Sequence, residues 1–309
     1  YLFNFDPNFY AEYEPENWKL AVNNENFRKS VVHAFNRMPA LATSDRIDPE
    51  SLKNNTITPN AFASASKDYT YYEGLAAYTD GDNFDEALAA EYKAAAIDEL
   101  TAAGATFPVK MLMCYNPTSA NWAQECQVVE QQIETVLGAD YVDIIIQAGP
   151  ETGFLGAIRR TGKYAFMKCN WGADYADPET WTDPFSTDSS YSFIFKSTDP
   201  ETQALYAEYT ELVAAAKAIT DDMDARYAAF AKAEAFLLDH AFAVPFSISS
   251  RSYQMCNLNV FEGQYASFGM VIEGMDVVDT IAQAAVDENQ KPTETITINS
   301  VSIETYQAQ

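Results

Sequence analysis

The chain has 309 residues, of which 48% are hydrophobic and 14% aromatic, so a disordered or fibrous protein is excluded and a folded one expected. Its 45 Asp and Glu residues against 19 Lys and Arg residues give a formal net charge of -26. Such a surface repels phosphate backbones, so we do not expect nucleic acid as a partner. The length permits one large domain or two ordinary ones.

The residues that usually hold metals or drive nucleophilic catalysis are few. The four cysteines are scattered without metal-ligand spacing, and both histidines, His33 and His240, fall inside helical patterns. We therefore expect structural cysteines and histidines, no metal and no cofactor. The sequence shows no signal peptide and no apolar run of about 18 residues. Because it opens at Tyr1 within a strand pattern, we expect a processed chain or one cut from a longer protein.

The first elements in chain order are a strand and a helix. Residues 1–7 (YLFNFDP) alternate large apolar side chains and end in a turn signal, which predicts a strand. Apolar residues at helical spacing predict a helix over 27–38, with Asn23 or Asn24 as its N-cap and Pro39 at its end.

An alternation of elements follows a polar, irregular stretch at 40–82. The pattern predicts a helix over 85–103, a strand over 109–115, a helix over 122–136 and a strand over 141–147. A strand, a crossover helix and a second strand form a βαβ unit, so we expect the two strands to be parallel.

The later elements are mainly helical. A helix is predicted over 153–160, two Ala-rich helices over 201–240, and a strand over 244–255. From Phe268 the pattern changes to a short strand, a helix and a final alternating strand.

The stretch from Gly162 to Ser190 concentrates aromatic, acidic and turn residues. It begins with a predicted buried strand ending at Trp171, and ligands bind outside the carboxyl ends of strands in open α/β sheets. Asp174 could anchor a ligand ammonium while Trp171 and Tyr175 supply ring contacts. Alternatively, Asp174 caps backbone N–H groups and Trp171 packs in the core. The pattern alone favours neither interpretation.

The other acids of this stretch indicate turns rather than catalysis. Asp177-Pro178 and Asp183-Pro184 are typical turn-forming pairs. Asp174 and Asp177 are close enough in sequence for acid/base work, but no nucleophile or base accompanies them. A binding function is therefore favoured over an enzymatic one.

Four ordered blocks carry a resemblance to a known family, the extracytoplasmic solute-binding proteins of oligopeptide and dipeptide ABC transporters. The blocks are NENFRKSVVHAFNR (24–37), FDEALAAEYKAAAIDELTAAG (84–104), GKYAFMKCNWGADYADPETW (162–181) and AEAFLLDHAFAVPFSISS (233–250). Residues 1–266 resemble the family's ligand-binding lobe as a whole. The resemblance implies an α/β, periplasmic-binding-protein-like lobe with a mixed, largely parallel sheet flanked by helices.

The resemblance also implies a site. In the family, the Asp three residues after the Trp that ends the strand commonly receives the ligand's α-amino group. That position is Asp174 here, so the candidate ligand-binding residues are Asn170, Trp171, Asp174 and Tyr175. One departure is that the family's Tyr-Asp pair is Tyr164-Ala165 in this chain. No catalytic residue is implied.

The implied partners are a peptide ligand and, through the full-length receptor, a membrane ABC permease. The resemblance begins at a hinge strand, so we expect the N-terminal lobe that closes over the ligand to be missing from this chain. Half a site leaves the ligand partly solvated, which predicts weak affinity. The full-length receptor is expected outside the cytoplasm, either periplasmic or anchored at the cell surface as a lipoprotein.

The tail has a different resemblance. Residues 268–304, with the block FGMVIEGMDVVD, resemble the C-terminal end of cyclophilin-type peptidyl-prolyl isomerases. We therefore expect residues 267–309 to form a separate cyclophilin-like segment of a helix plus a strand. The isomerase family's catalytic Arg, Gln and Phe lie upstream of this block, so the alternative function, an isomerase remnant or fusion partner, is the weaker one.

Overall fold

The structure, a computed structural model, describes residues 1–189, 191, 193–248, 275–285, 287, 292–293, 297 and 300. The chain divides into two compact units, Tyr1–Arg251 and Ser252–Gln309. The boundary expected at residues 266 and 267 lies outside the described residues and stays a prediction.

The elements of the first unit run from an N-terminal strand to a C-terminal helical pair. In chain order they are β1 (Leu2–Phe3), α1 (Pro15–Asn23), α2 (Glu25–Ala34), α3 (Arg37–Leu41), α4 (Ala76–Thr79), α5 (Glu86–Ala102), β2 (Val109–Tyr115), α6 (Trp122–Leu137), β3 (Val142–Ala148), β4 (Phe166–Met167), α7 (Pro200–Lys217) and α8 (Met223–Asp239). A π-helical turn occupies Leu155–Arg159. Within the second unit, α9 (Met275–Ala282) is described.

The βαβ unit is confirmed. β2 and β3 pair in parallel, with Val109 opposite Val142 and Tyr115 opposite Ala148. Helix α6 connects them and buries one apolar face, because its apolar residues recur at helical spacing. The buried apolar positions of that face are Cys126, Val129, Ile133 and Leu137.

The strand predicted over Tyr164–Trp171 is much shorter in the structure. β4 pairs with β1 in antiparallel fashion through Phe166 and Met167 alone. The Ala165 N–H donates to the Leu112 carbonyl oxygen at 2.8 Å, which joins the start of β4 to β2. Because β1 offers only two residues for pairing, the ladder ends at Met167 and the chain leaves the sheet early.

The helix predicted over 27–38 is interrupted. Asn24 is the N-cap of α2, and its side chain accepts a hydrogen bond from the Phe27 N–H at 2.7 Å, which settles the choice between Asn23 and Asn24. The helix ends at Ala34, and Asn36 caps α3. Pro39 lies in the first turn of α3, where a missing N–H has no intrahelical role, so the prediction that it ends a helix was wrong.

The remaining predictions are confirmed for the two C-terminal helices of the first unit but not for the strand predicted after them. The two Ala-rich helices are confirmed as α7 and α8, with Asp222 capping α8. Residues 244–248 form no strand, although Ser247 makes an isolated antiparallel bridge to Lys53. The rest of that predicted strand, and the strands predicted on either side of α9, lie outside the described residues.

The core of the first unit is rich in aromatic rings. Phe166 on β4 is fully buried and stacks on Tyr1, with ring centroids 5.1 Å apart. The ring centroid of Phe3 on β1 lies 4.8 Å from that of Phe166. Cys114 and Cys126 are buried and free, as expected. This packing fixes β4, and with it the point where the candidate site begins.

Candidate functional site

The acidic aromatic loop, residues 168–185, follows β4 directly. Its first residue, Lys168, leaves the sheet and pairs with Glu125 on α6 at 2.5 Å. Glu125 is buried and also accepts a hydrogen bond from the Tyr1 hydroxyl at 2.5 Å. The loop therefore starts from a fixed position at the edge of the core.

Thr180 joins two of the predicted site residues. Its carbonyl oxygen accepts a hydrogen bond from the Trp171 indole N–H at 2.9 Å, and its hydroxyl accepts one from the Asp174 backbone N–H at 3.2 Å. Thr180 is completely buried. The structure thus brings Trp171 and Asp174 together around one buried residue.

Asn170 is held through its backbone. Its carbonyl oxygen accepts a hydrogen bond from the Tyr191 hydroxyl at 2.7 Å, and that hydroxyl accepts one from Arg159 Nη1 at 2.8 Å. Arg159 also lies over the Tyr191 ring, 4.0 Å from its centroid, and Tyr191 meets Trp171 edge-on at 6.2 Å. The Asn170 side chain remains exposed to solvent.

The Asp174 carboxylate is exposed, and within the described part of the chain it forms no hydrogen bond or ion pair. The capping role considered for it belongs to Asp177, which accepts a hydrogen bond from the Glu179 N–H at 2.9 Å. Asp177 opens a 3-10 turn over Pro178–Trp181. The prediction of Asp177-Pro178 as a turn is therefore confirmed, while the Asp174 carboxylate is left facing solvent.

Tyr175 lies beside these acids with 47% of its surface exposed. Burial raises the pKa of Tyr175 to about 12, and the carboxylates of Glu179, Asp183 and Asp177 add to the shift. The phenol therefore stays protonated at neutral pH and presents a ring and a hydroxyl beside Asp174.

Two cations offset part of the loop's negative charge. Arg226 on α8 pairs with Asp177 at 3.0 Å and with Glu179 at 2.6 Å, and Lys217 at the end of α7 pairs with Glu179 at 3.1 Å. Burial raises the pKa of Asp183. The carboxylates of Glu179 and Asp174 raise it further, whereas the Lys217 ammonium lowers it. The remaining negative potential suits a cationic ligand group.

A separate cleft of about 380 Å³ lies between α2, α5 and α8, away from this loop. Its charged groups already have partners: Lys29 pairs with Glu25 at 2.5 Å, and the Tyr78 hydroxyl donates to Asp239. His33 in its wall is bonded through Nδ1 to the Asn83 carbonyl oxygen at 2.7 Å. The cleft thus offers no unpaired charge to a ligand.

A metal-binding cluster and a membrane-spanning helix are both absent from the described ranges. No group of three or more His, Cys, Asp or Glu side chains there is placed to hold a metal ion. No helix among the same residues is long and apolar enough to cross a membrane.

Sequence reasoning did not identify the residues that hold the site together. Thr180 lies within the block 162–181 without any signal of its own, Tyr191 and Arg226 lie outside the four blocks, and Arg226 lies 49 positions from its partner Asp177. Only the spacing of Asp177 and Glu179, two acids on one turn, hints at a shared cation.

Comparison with known proteins gives two family matches. The family described as "Bacterial extracellular solute-binding proteins, family 5 Middle" matches residues 1–193. A second match, to the cyclophilin type peptidyl-prolyl cis-trans isomerases, spans residues 229–303 and so includes the last residues of α8.

Curated relatives include oligopeptide-binding proteins of Streptococcus pneumoniae. AliB is 27% identical over 79% of this chain and 43% of its own length, and AmiA is 28% identical over 84% of this chain and 43% of its own length. AliA is 30% identical over 74% of this chain and 39% of its own length. The chain therefore spans about two fifths of the length of the curated relatives it matches.

Solved structures share the fold. The substrate-binding domain of an oligopeptide ABC transporter from Bacillus anthracis matches with a TM-score of 0.58 and 23% identity, covering 74% of this chain and 40% of that one. A peptide-binding protein of a peptide ABC transporter matches with a TM-score of 0.57 and 22% identity, covering 76% of this chain and 93% of that one. The predicted α/β, periplasmic-binding-protein-like fold is confirmed.

Proposed function

Because the chain belongs to the bacterial extracellular solute-binding proteins of family 5, we propose that it is the ligand-binding lobe of a receptor that delivers peptides to an ABC importer. The family is non-enzymatic, so the chain's task is to bind. The family likewise places the receptor outside the cytoplasm, and we extend the proposal to a periplasmic or lipid-anchored form.

The observation that carries the proposal is the exposed Asp174 carboxylate. It is held by its backbone to Thr180, next to the half-buried Trp171 and the half-exposed Tyr175. A carboxylate on a backbone held in this way can accept charge-assisted hydrogen bonds from a peptide's terminal ammonium. The two rings supply apolar and cation-π contact, and the exposed Asn170 amide can bond to the peptide backbone.

We propose further that a second lobe closes over this surface in the full-length receptor, and that the closed receptor docks on the permease. The support is the share of the relatives' length that this chain spans. With one wall of the site alone, we expect a dissociation constant for a short peptide in the roughly millimolar range.

The cyclophilin match supports the resemblance of the tail and not an isomerase activity. Residues 229–239 of that match belong to α8, which packs in the solute-binding unit. A proline-isomerisation assay on a standard peptide should give the uncatalysed rate, and turnover by this chain would favour the isomerase instead.

The test of the amine site is a titration with a short peptide that has a free amino terminus. Tetra-alanine, followed by NMR chemical shifts because the binding is weak, should bind the Asp174→Asn variant roughly tenfold more weakly than the wild type, since one charge-assisted contact is lost. Asp188→Asn is the matched control, because Asp188 is an exposed acid of the neighbouring segment. Equal affinity of wild type and Asp174→Asn would remove Asp174 from the site.

A further inference from the structure

Arg226 on α8 binds two carboxylates of the acidic aromatic loop. Its Nε donates to Asp177 Oδ2 at 3.0 Å, and its Nη2 donates to Asp177 Oδ1 at 3.0 Å and to Glu179 Oε2 at 2.6 Å. The first two bonds form a bidentate, charge-assisted pair, which fixes orientation as well as distance. Asp177, the N-cap of the turn over Pro178–Trp181, and Glu179 within that turn are thus bound to one guanidinium.

The same guanidinium also closes the end of α7. Its Nη1 donates to the carbonyl oxygen of Ile219 at 3.1 Å and, at 3.4 Å, to those of Ala216 and Lys217. Carbonyl groups at the end of a helix lack intrahelical donors, and of these three only that of Ala216 accepts a backbone hydrogen bond within the described residues, from the Ile219 N–H at 3.2 Å. The cation packs over the Phe230 ring at 4.8 Å, with only 12% of the side chain exposed. The guanidinium is therefore held on every side, and a lysine ammonium lacks the planar fork to replace it.

The turn that Arg226 binds also holds the predicted site residues in place. Thr180 directly follows Glu179, and it receives both the indole N–H of Trp171 and the backbone N–H of Asp174. A shift of the turn would therefore move the ring and the carboxylate together. No described hydrogen bond links Arg226 itself to Trp171 or Asp174, so its hydrogen bonds act on these two residues only through the turn.

We propose that Arg226 is a positioning residue for the peptide-amine site, holding through Thr180 the geometry in which Asp174 meets a ligand ammonium. This inference rests on the proposed function and adds the group that prepares the site. Arg226 acts in two ways. It fixes the turn before ligand arrives, which lowers the entropy cost of binding, and it neutralises Asp177 and Glu179, which would otherwise draw the ammonium away from Asp174.

The test compares a peptide with a free amino terminus and the same peptide acetylated. Tetra-alanine and N-acetyl-tetra-alanine are titrated, by NMR, into the wild type and the Arg226→Lys variant, which keeps the charge but loses the fork. The wild type should prefer the free peptide roughly tenfold, and Arg226→Lys should reduce that preference to roughly twofold. Arg28→Lys is the control, because Arg28 is also buried and bonded to backbone carbonyls, those of Val22 and His240.

A purely structural role for Arg226 would lower thermal stability and leave the preference unchanged, as expected for Arg28→Lys. Thr180→Val provides a second variant of nearly equal volume, since it removes the hydroxyl that accepts the Asp174 N–H; it should also reduce the preference. In an Asp174→Asn background, Arg226→Lys should have no further effect on it.

The outcomes separate the two proposals. If the wild type prefers the free peptide and both Arg226→Lys and Thr180→Val keep that preference, the positioning role is overturned while the peptide site stands. If the wild type does not distinguish the two peptides, the proposed function fails and the positioning role falls with it.

Discussion

Replacing Glu234 by Gln should make the stability of this protein less dependent on pH. Glu234 lies on α8 with 6% of its surface exposed. Its carboxylate accepts hydrogen bonds from the N–H groups of Ile57 and Thr58, at 2.7 and 3.0 Å, and from the hydroxyls of Thr58 and Tyr69, at 2.6 and 3.1 Å. Burial nevertheless outweighs these donors and raises the pKa of Glu234 to about 7.

The direction in which stability changes with pH follows from which state, folded or unfolded, keeps the proton of Glu234. Below pH 4.5, the ordinary pKa of the group, both the folded and the unfolded chain hold the proton. Between pH 4.5 and about 7 the unfolded chain has released it while the folded chain keeps it, so stability falls as pH rises. At about 1.4 kcal/mol per pH unit, Glu234 costs about 3 kcal/mol by pH 8, and above its folded-state pKa the cost stays constant.

The assay is urea denaturation of the wild type and of Glu234→Gln at pH 5 and pH 8. The difference in the free energy of unfolding between the two proteins should shift by about 2.5 kcal/mol in favour of the variant at the higher pH, because part of the cost is already present at pH 5. The Gln side chain keeps an acceptor oxygen for the two backbone N–H groups. Glu208→Gln, at an exposed position of α7, is the control. A difference that does not change with pH would show that Glu234 ionises at its ordinary pKa, and the reasoning would be refuted.

Three further predictions concern the fold. Asn24→Ala removes the N-cap of α2 and should lower the free energy of unfolding by about 1 kcal/mol in urea denaturation, whereas Asn24→Ser, which keeps a capping oxygen, should retain most of it. Phe166→Ala empties a fully buried position in the ring stack and should cost about 3–5 kcal/mol; a loss below about 1 kcal/mol would contradict the packing. Burial raises the pKa of the Cys114 and Cys126 thiols to about 12, so iodoacetamide at pH 8 should modify neither in the native protein and both in urea, as read by mass spectrometry.

The sequence predicted the elements whose patterns are long and locally determined. The strand Val109–Tyr115, helix Trp122–Leu137 and strand Val142–Ala148 agree with expectation within one residue or so, because apolar periodicity and a terminal Gly138 mark them. The strand expected up to Trp171 was too long, because its length depends on β1, a partner more than 150 positions away. An apolar run in the sequence predicts that a segment is buried, but the length of a strand depends on the partner strand with which it pairs.

The candidate site was likewise only partly predictable from the sequence. The sequence pattern predicts Trp171, Asp174 and Tyr175 as site residues, which remains a proposal, while the structure adds Thr180 and Arg226 as the residues that hold them. Neither addition was accessible from spacing, since Thr180 acts through its place in a turn and Arg226 reaches the loop from another helix.

Asp174 is proposed to receive a peptide's terminal ammonium, and a cycle of four affinities tests this role. Tetra-alanine and N-acetyl-tetra-alanine are each titrated into the wild type and Asp174→Asn at low salt, where a solvent-exposed charge pair is least screened. Acetylation should weaken binding roughly tenfold in the wild type and have almost no effect in the variant. The same loss on acetylation in both proteins would contradict the proposed role of Asp174, because the ammonium would then be recognised elsewhere.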